Sequence, residues 1–311
     1  MKDIEQVVIL GGTGFIGSHL KSRFEQLGLS VKVFGHDAFQ SLPHLQSLIN
    51  GCDLLIMLAG ANVGERWTQA HKQALWDSRL KTNQLLQAAL QDCDQPPKRI
   101  ISASAIGIYP ESDCEHPVDE QCTEVGLNVL GQLGVDWEAA SRKLQPEPLI
   151  FRFGVVLGAD GGALMKMLPA FKLGLGGPVA GGKQCFSWVH IEDLVHAFEF
   201  AWHHPEMRGV YNVTSPKPVR NRVFGQALAK ALHRPFWLPL PYWQLKLVFG
   251  EGAQVLTLSS AVIPTRLQQS GFCFQFPEIN QALQNLFPRL FHLTLSQQLL
   301  KLLYSLFFPQ N

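Results

Sequence analysis

The sequence predicts an α/β fold, a doubly wound parallel sheet carrying a smaller C-terminal substrate domain. Three observations lead there. Short apolar runs rich in β-branched residues alternate with helix-period stretches through the first 160 residues. Three glycines, Gly11, Gly14 and Gly17, stand between the first apolar run and the first helical one. After about residue 157 the texture changes to GADGGALMKMLPAFKLGLGGPVAGGK, as expected of loops and short elements inserted above a sheet.

Gln6–Leu10 reads as a buried strand, and Phe15, Ile16, Leu20, Phe24 and Leu27 then recur at helical spacing up to the stop at Gly28. Ser30–Phe34 and residues 53–58 are the next strands. A long helix follows over residues 68–90, opened by Thr68 as N-cap. Strands are expected at 100–104, 149–156 and Val210–Val213, and helices at 193–203, with Asp193 as N-cap, and 221–233. The sheet domain covers residues 1–160, completed by about 186–215. Residues 161–185 and 216–287 form the small domain, and 288–311 an amphipathic tail.

At 311 residues the chain can bury a full core plus a subdomain, and its 46% apolar and 16% charged residues fit an ordinary globular protein. The 26 basic and 25 acidic residues leave a net charge of +1, so no clustered basic face argues for nucleic acid. Cys52, Cys93, Cys114, Cys122, Cys185 and Cys273 are scattered, without CxxC or Cys–His metal spacing. They read as reduced cysteines of a cytoplasmic protein, with no metal site. MKDIEQVVIL has no signal-peptide pattern, and no run approaches the roughly 18 apolar residues of a membrane-spanning helix.

GxxGxxG after a strand and before a helix has a physical purpose. The first glycine permits the tight turn, the second lets a pyrophosphate approach the backbone, and the third lets helix and strand pack closely. The helix N-terminus offers its free N–H groups to the phosphates. The fold expected is therefore of Rossmann type.

LGGTGFIG resembles the glycine loop of extended short-chain dehydrogenase/reductases, the nucleotide-sugar epimerase type. MLAGAN, SASAIGIYP, RFGVVLG, FSWVHIEDLVHAF and GVYNVTS match further family segments in order. A narrower resemblance is to the YfcH-like epimerase-family subgroup, with its C-terminal domain of unknown function. It rests on AGANVGERWTQAHKQALWDSR, the GGALMKMLPAFKLGLGGPVAGGKQCFSWVH block and PTRLQQSGFCFQFPEINQAL, and spans about residues 5–287. That subgroup has no settled reaction, and some members carry a cell-division-inhibitor label.

The resemblance implies a nicotinamide dinucleotide held by Gly11, Gly14, Phe15, Ile16 and Gly17, with Leu58, Ala59, Gly60 and Ser102 beside it. An acidic residue at the end of the second strand would select NAD. That place falls on Gly35, and relatives carry arginine where His36 stands, so NADP is expected; Asp37 keeps NAD as the alternative.

In the family a Ser, a Tyr and a Lys four residues after it carry the acid/base chemistry. Ser104 sits where that Ser belongs, with Ser102 expected on the other side of the strand. The Tyr and Lys places, eight and four residues before Glu138, hold Leu130 and Gly134. The pair is missing, and restoring it would return reductase activity only if the helix still lines the site. Candidate replacements are His190, Glu124 and Lys183, with Tyr109 read as packing at the strand end and Arg152 as structural or phosphate-contacting. Arg66, Trp67, Lys72 and Arg79 form a candidate anion cluster, or else a solvated helix face.

Two functions follow: an NADP-dependent epimerase or reductase of unknown substrate, or a nucleotide-bound regulator without turnover. In the tail, Leu295, Leu299, Leu302, Leu303 and Leu306 recur at helical spacing. Docking on the body or in a homodimer is expected. A membrane-surface role for residues 290–308 is the alternative, opposed by the scarcity of Lys and Arg on the polar face.

Overall fold

The computed structural model describes residues 5–288, so the tail readings lie outside the described residues. The chain enters through β1 (Gln6–Leu10), α1 (Phe15–Gln26), β2 (Ser30–Phe34), α2 (Leu42–Ile49) and β3 (Leu54–Met57). The short α2 escapes the periodicity reading; Ser41 caps it, accepting the His44 N–H. There follow α3 (Gln69–Gln91), capped by Thr68 as expected, β4 (Arg99–Ala105), α4 (Val129–Ser141) and β5 (Leu149–Phe153).

The run 149–156 is not one strand. After β5 the chain breaks at Gly154, where a Cβ would stand 3.0 Å from the Ser187 carbonyl oxygen, and resumes as β6 (Val155–Leu157). Next come α5 (Gly162–Lys172), β7 (Cys185–Phe186), β8 (Trp188–His190), α6 (Ile191–His203) and β9 (Val210–Val213). The described residues continue with β10 (Val219–Arg220), α7 (Asn221–Ala231), α8 (Tyr242–Phe249), α9 (Gln254–Thr257), α10 (Thr265–Gln269) and α11 (Ile279–Leu286).

Six strands pair in parallel, in the order β2-β1-β3-β4-β5-β9. Strand periodicity splits each buried run between two cores. Val7, Ile9, Leu54 and Ile56 face α1 and α6, among Leu20, Phe24, Leu194 and Phe198. Val8, Leu10, Leu55 and Met57 face α2 and α3, among Leu45, Ile49 and Leu86. A third core joins α5, α7 and α11 through Leu164, Phe171, Phe224, Leu228 and Leu283. The ligand edge of such a sheet is at the strands' C-terminal ends, where β1 and β3 finish side by side.

The cysteine expectation needs one correction: Cys114 and Cys185 are disulfide-bonded, with Cα atoms 5.5 Å apart. They are 71 residues apart in sequence, and tertiary pairing unites them. Ser259 links the two segments, its hydroxyl donating to the Ser112 carbonyl and accepting the Cys185 N–H. Among the described residues no cluster could hold a metal ion, and no helix is long and apolar enough to cross a membrane.

Candidate functional site

The three glycines do three different things. Gly11 has φ +75°, and a Cβ there would lie 2.5 Å from Ala59 Cα, so the turn out of β1 touches the turn out of β3. A Cβ on Gly17 would fall 2.1 Å from the Gly12 carbonyl oxygen, so α1 packs on its own entry loop. Gly14 meets nothing within 4 Å. It is also the α1 N-cap, with no side chain capping the helix and no acid in the first turn. The N–H groups of that turn are left for an anion in the open space before Gly14.

Phe15 and Ile16 supply backbone to that turn, but the Phe15 ring points elsewhere. It fills a glycine cradle at residues 158–162, where a Cβ on Gly158 or Gly161 would come within 2.3 or 2.2 Å of it. Beside the glycine loop, Leu58 donates its N–H to the Leu10 carbonyl, and Ala59 and Gly60 form the turn after β3. At the end of β2, Asp37 turns its carboxylate back to accept the Gly35 N–H at 3.0 Å, while His36 stays exposed.

Ser102 is misplaced by the sequence reading. It lies on the same face of β4 as Ser104, as residues two apart in a strand must. It is fully buried, its hydroxyl against that of Ser141 of α4 at 3.1 Å. Ser104 is buried too, its hydroxyl donated at 2.8 Å to Glu138. Arg152 grips the same carboxylate with two bonds of 2.6 and 2.8 Å. Burial disfavours the Arg152 charge, but Glu138 outweighs it and holds its pKa above the ordinary value. Arg152 also lies over the ring of Tyr109, whose hydroxyl donates to Asn212. Arg152 and Tyr109 are thus both tied into the buried contacts around Glu138 and Asn212. The sequence signal for Glu138 was present only as a register marker.

His190 is fully buried and caps α6, its Nδ1 accepting the Glu192 N–H at 3.1 Å. Asp193, the expected cap, instead accepts the N–H groups of Gln275 and Phe276, pinning the C-terminal segment. Burial pushes the His190 pKa down to about 4, against a smaller opposing contact with Asn285. The buried imidazole is thus committed through Nδ1 to the α6 cap. Its stabilising neutrality persists above the unfolded value of 6.5 and is lost as pH falls toward 4. Urea unfolding is therefore expected to lose about 2 kcal/mol from this group between pH 7 and 5. His190→Asn, which keeps a capping side chain, should show a shallower acid slope. Identical slopes in both proteins would remove the assignment.

Glu124 and Lys183 are exposed. Glu124 lines a cleft of about 460 Å³ with Tyr109, Arg142 and Arg152, whose walls include no residue of the glycine loop. None of the four candidates Ser104, His190, Glu124 and Lys183 hydrogen-bonds to another. The anion cluster does not converge either. Lys72 pairs with Glu251, Arg66 donates to the Leu247 carbonyl, Trp67 is buried, and Arg79 is buried beneath Gly60.

Where the family's Tyr and Lys would stand, α4 closes on the segment after β4. A Cβ on Gly134 would come 2.8 Å from Ile108 Cβ, and Leu130 packs against Gly107. No lysine fits at 134 without moving that segment, so the two substitutions cannot simply restore a tyrosine–lysine pair.

Known proteins bear on this geometry. Residues 7–214 match the model of the NAD-dependent epimerase/dehydratase family, and 240–286 a domain of unknown function. An epimerase family protein of Staphylococcus epidermidis is 31% identical over 297 residues, 91% of this chain and 99% of its own length. The chloroplastic Arabidopsis thaliana homolog of the epimerase family protein SDR39U1 is 32% identical, over 89% of this chain and 85% of its own. The crystal structure of human SDR39U1 (isoform 2) with NADPH superposes with a TM-score of 0.83 at 34% identity, covering 92% of this chain and all of that one. A dTDP-4-dehydrorhamnose reductase of Bacillus anthracis shares the fold, with a TM-score of 0.73 at 15% identity.

Proposed function

The chain belongs to the NAD-dependent epimerase/dehydratase family, and from that premise we propose that it binds NADP(H) in the cleft before Gly14. One observation carries this: Gly14 faces open space at the uncapped start of α1, while Gly11 and Gly17 are occupied by close backbone packing. The donor set fits a dinucleotide. First-turn N–H groups of α1 would hold the diphosphate, the 58–60 turn would flank it, and exposed His36 would be available to a 2′-phosphate. Gly35, at the end of β2, carries no carboxylate for a ribose 2′-OH, which supports NADP(H) over NAD(H). Human SDR39U1, solved with NADPH, supports the same choice.

When bound, the dinucleotide supplies reversible hydride transfer at its nicotinamide. This chain's own residues hold and orient it. Proton transfer by a tyrosine of α4 is not available to them, since Leu130 and Gly134 occupy those places. A positioned acid/base is worth about 10²–10⁴-fold in rate, so ordinary epimerase turnover should be slow. A second reading, a cofactor-holding regulator without turnover, is favoured by the commitment of Ser104 and His190 to buried structural bonds.

The test is a fluorescence titration with NADPH and NADH, followed by a panel of carbonyl and nucleotide-sugar substrates. NADPH is expected to bind more tightly, with turnover at or near background. Equal affinity for both removes the His36 argument. Brisk turnover that is unchanged in Ser104→Ala would show that the chemistry lies elsewhere.

A further inference from the structure

Arg79 is an anomaly that the cofactor reading does not absorb. It projects from α3 and is only 7% exposed, yet no Asp or Glu among the described residues pairs with it. A buried charge without a counter-charge is costly, and such groups are normally paired. Its Nη1 and Nη2 donate to the carbonyls of Leu75 and Ala61, at 3.0 and 3.1 Å, and Nε has no partner. Burial lowers its pKa to about 10, which leaves it cationic at neutral pH.

Its position is specific. The guanidinium stacks over Trp137 of α4 at 4.6 Å and lies directly behind Gly60, where a Cβ would meet Cζ at 3.0 Å. Only glycine lets the cation come this close to the turn. Neighbouring Ser78 accepts the Ala61 N–H at 2.8 Å, so consecutive α3 side chains hold both polar groups of Ala61. That turn abuts the glycine loop, because Ala59 packs on Gly11.

We propose that Arg79 is a positioning residue and the buried counter-charge for the diphosphate of the bound dinucleotide, acting through the 59–61 turn that abuts the glycine loop. The inference rests on the cofactor reading and adds a second source of positive potential to the helix N-terminus. The low polarity around Trp137 and Gly60 lets a fixed charge act across the turn with little screening. It also accounts for an arginine without a carboxylate: an acid partner would cancel the field in the cleft.

The experiment compares NADPH binding by the full chain, Arg79→Met and Arg79→Lys over a salt series, with unfolding midpoints measured alongside. Arg79→Met removes the charge at similar length and should weaken NADPH roughly tenfold or more. It should also flatten the dependence of log Kd on log salt. Arg79→Lys restores the charge without the fork, and should recover the salt slope even if part of the affinity is lost. If both variants lose affinity equally while the slope stays that of the unaltered protein, the role is structural and the inference fails. An unchanged Kd in Arg79→Met overturns it as well. Should Arg79→Met not fold, Arg79→Gln, which also removes the charge, takes its place: a flattened slope supports the inference and a wild-type slope overturns it. Failure of the unaltered protein to bind NADPH would instead remove the cofactor reading itself.

Discussion

Replacing Glu138 by alanine is expected to cost about 3–5 kcal/mol of folding stability, the usual penalty for leaving one member of a buried ion pair uncompensated. Its carboxylate is 5% exposed and receives two bonds from Arg152, one from Ser104 and a longer one from Arg142. Alanine would strand the Arg152 charge at 11% exposure between β5 and the Tyr109 ring. Glu138→Gln, which keeps an acceptor for Ser104, should lose less. Urea unfolding of both variants measures this. A loss below about 1 kcal/mol for Glu138→Ala would mean that the pair is screened as a surface bridge is.

Gly14→Val is expected to abolish dinucleotide binding while leaving the fold intact. The backbone there is extended, at φ −88° and ψ −172°, which any residue adopts, and the place of a Cβ is empty. A branched side chain would fill the space that the diphosphate needs, so affinity should fall about a hundredfold or more. The helix loses at most a few tenths to 1 kcal/mol from the poorer cap. NADPH titration and a thermal midpoint on the same sample separate the two effects. Tight binding by Gly14→Val would place the cofactor elsewhere. The contrast is Gly17, where even a methyl group strikes the Gly12 carbonyl, so loss of binding there would not distinguish a filled cleft from a distorted loop.

Local signals decided much of the molecule. The alternation of apolar runs and helical stretches gave β1, β2 and β9 at their bounds and α1 with its end set one residue late, because strand and helix periods leave patterns in consecutive residues. The glycine loop was legible for the same reason: turn, phosphate space and close packing are demands on residues three apart. The absence of tyrosine and lysine at Leu130 and Gly134 was equally plain.

Tertiary structure decided what depends on partners distant in the chain. Sequence spacing could not show that Ser104 would give its hydroxyl to Glu138, 34 residues on, or that Cys114 would meet Cys185. Nor could it show that His190 would cap α6 in place of Asp193, since both are good acceptors and only the burial of one and the Gln275–Phe276 N–H groups near the other separate them. Arg79 read as one member of a basic cluster on a helix face. Packing against Trp137 and Gly60 took it out of solvent, and it is that desolvation, set by residues from three different elements, that turns an ordinary cation into a charge requiring a partner.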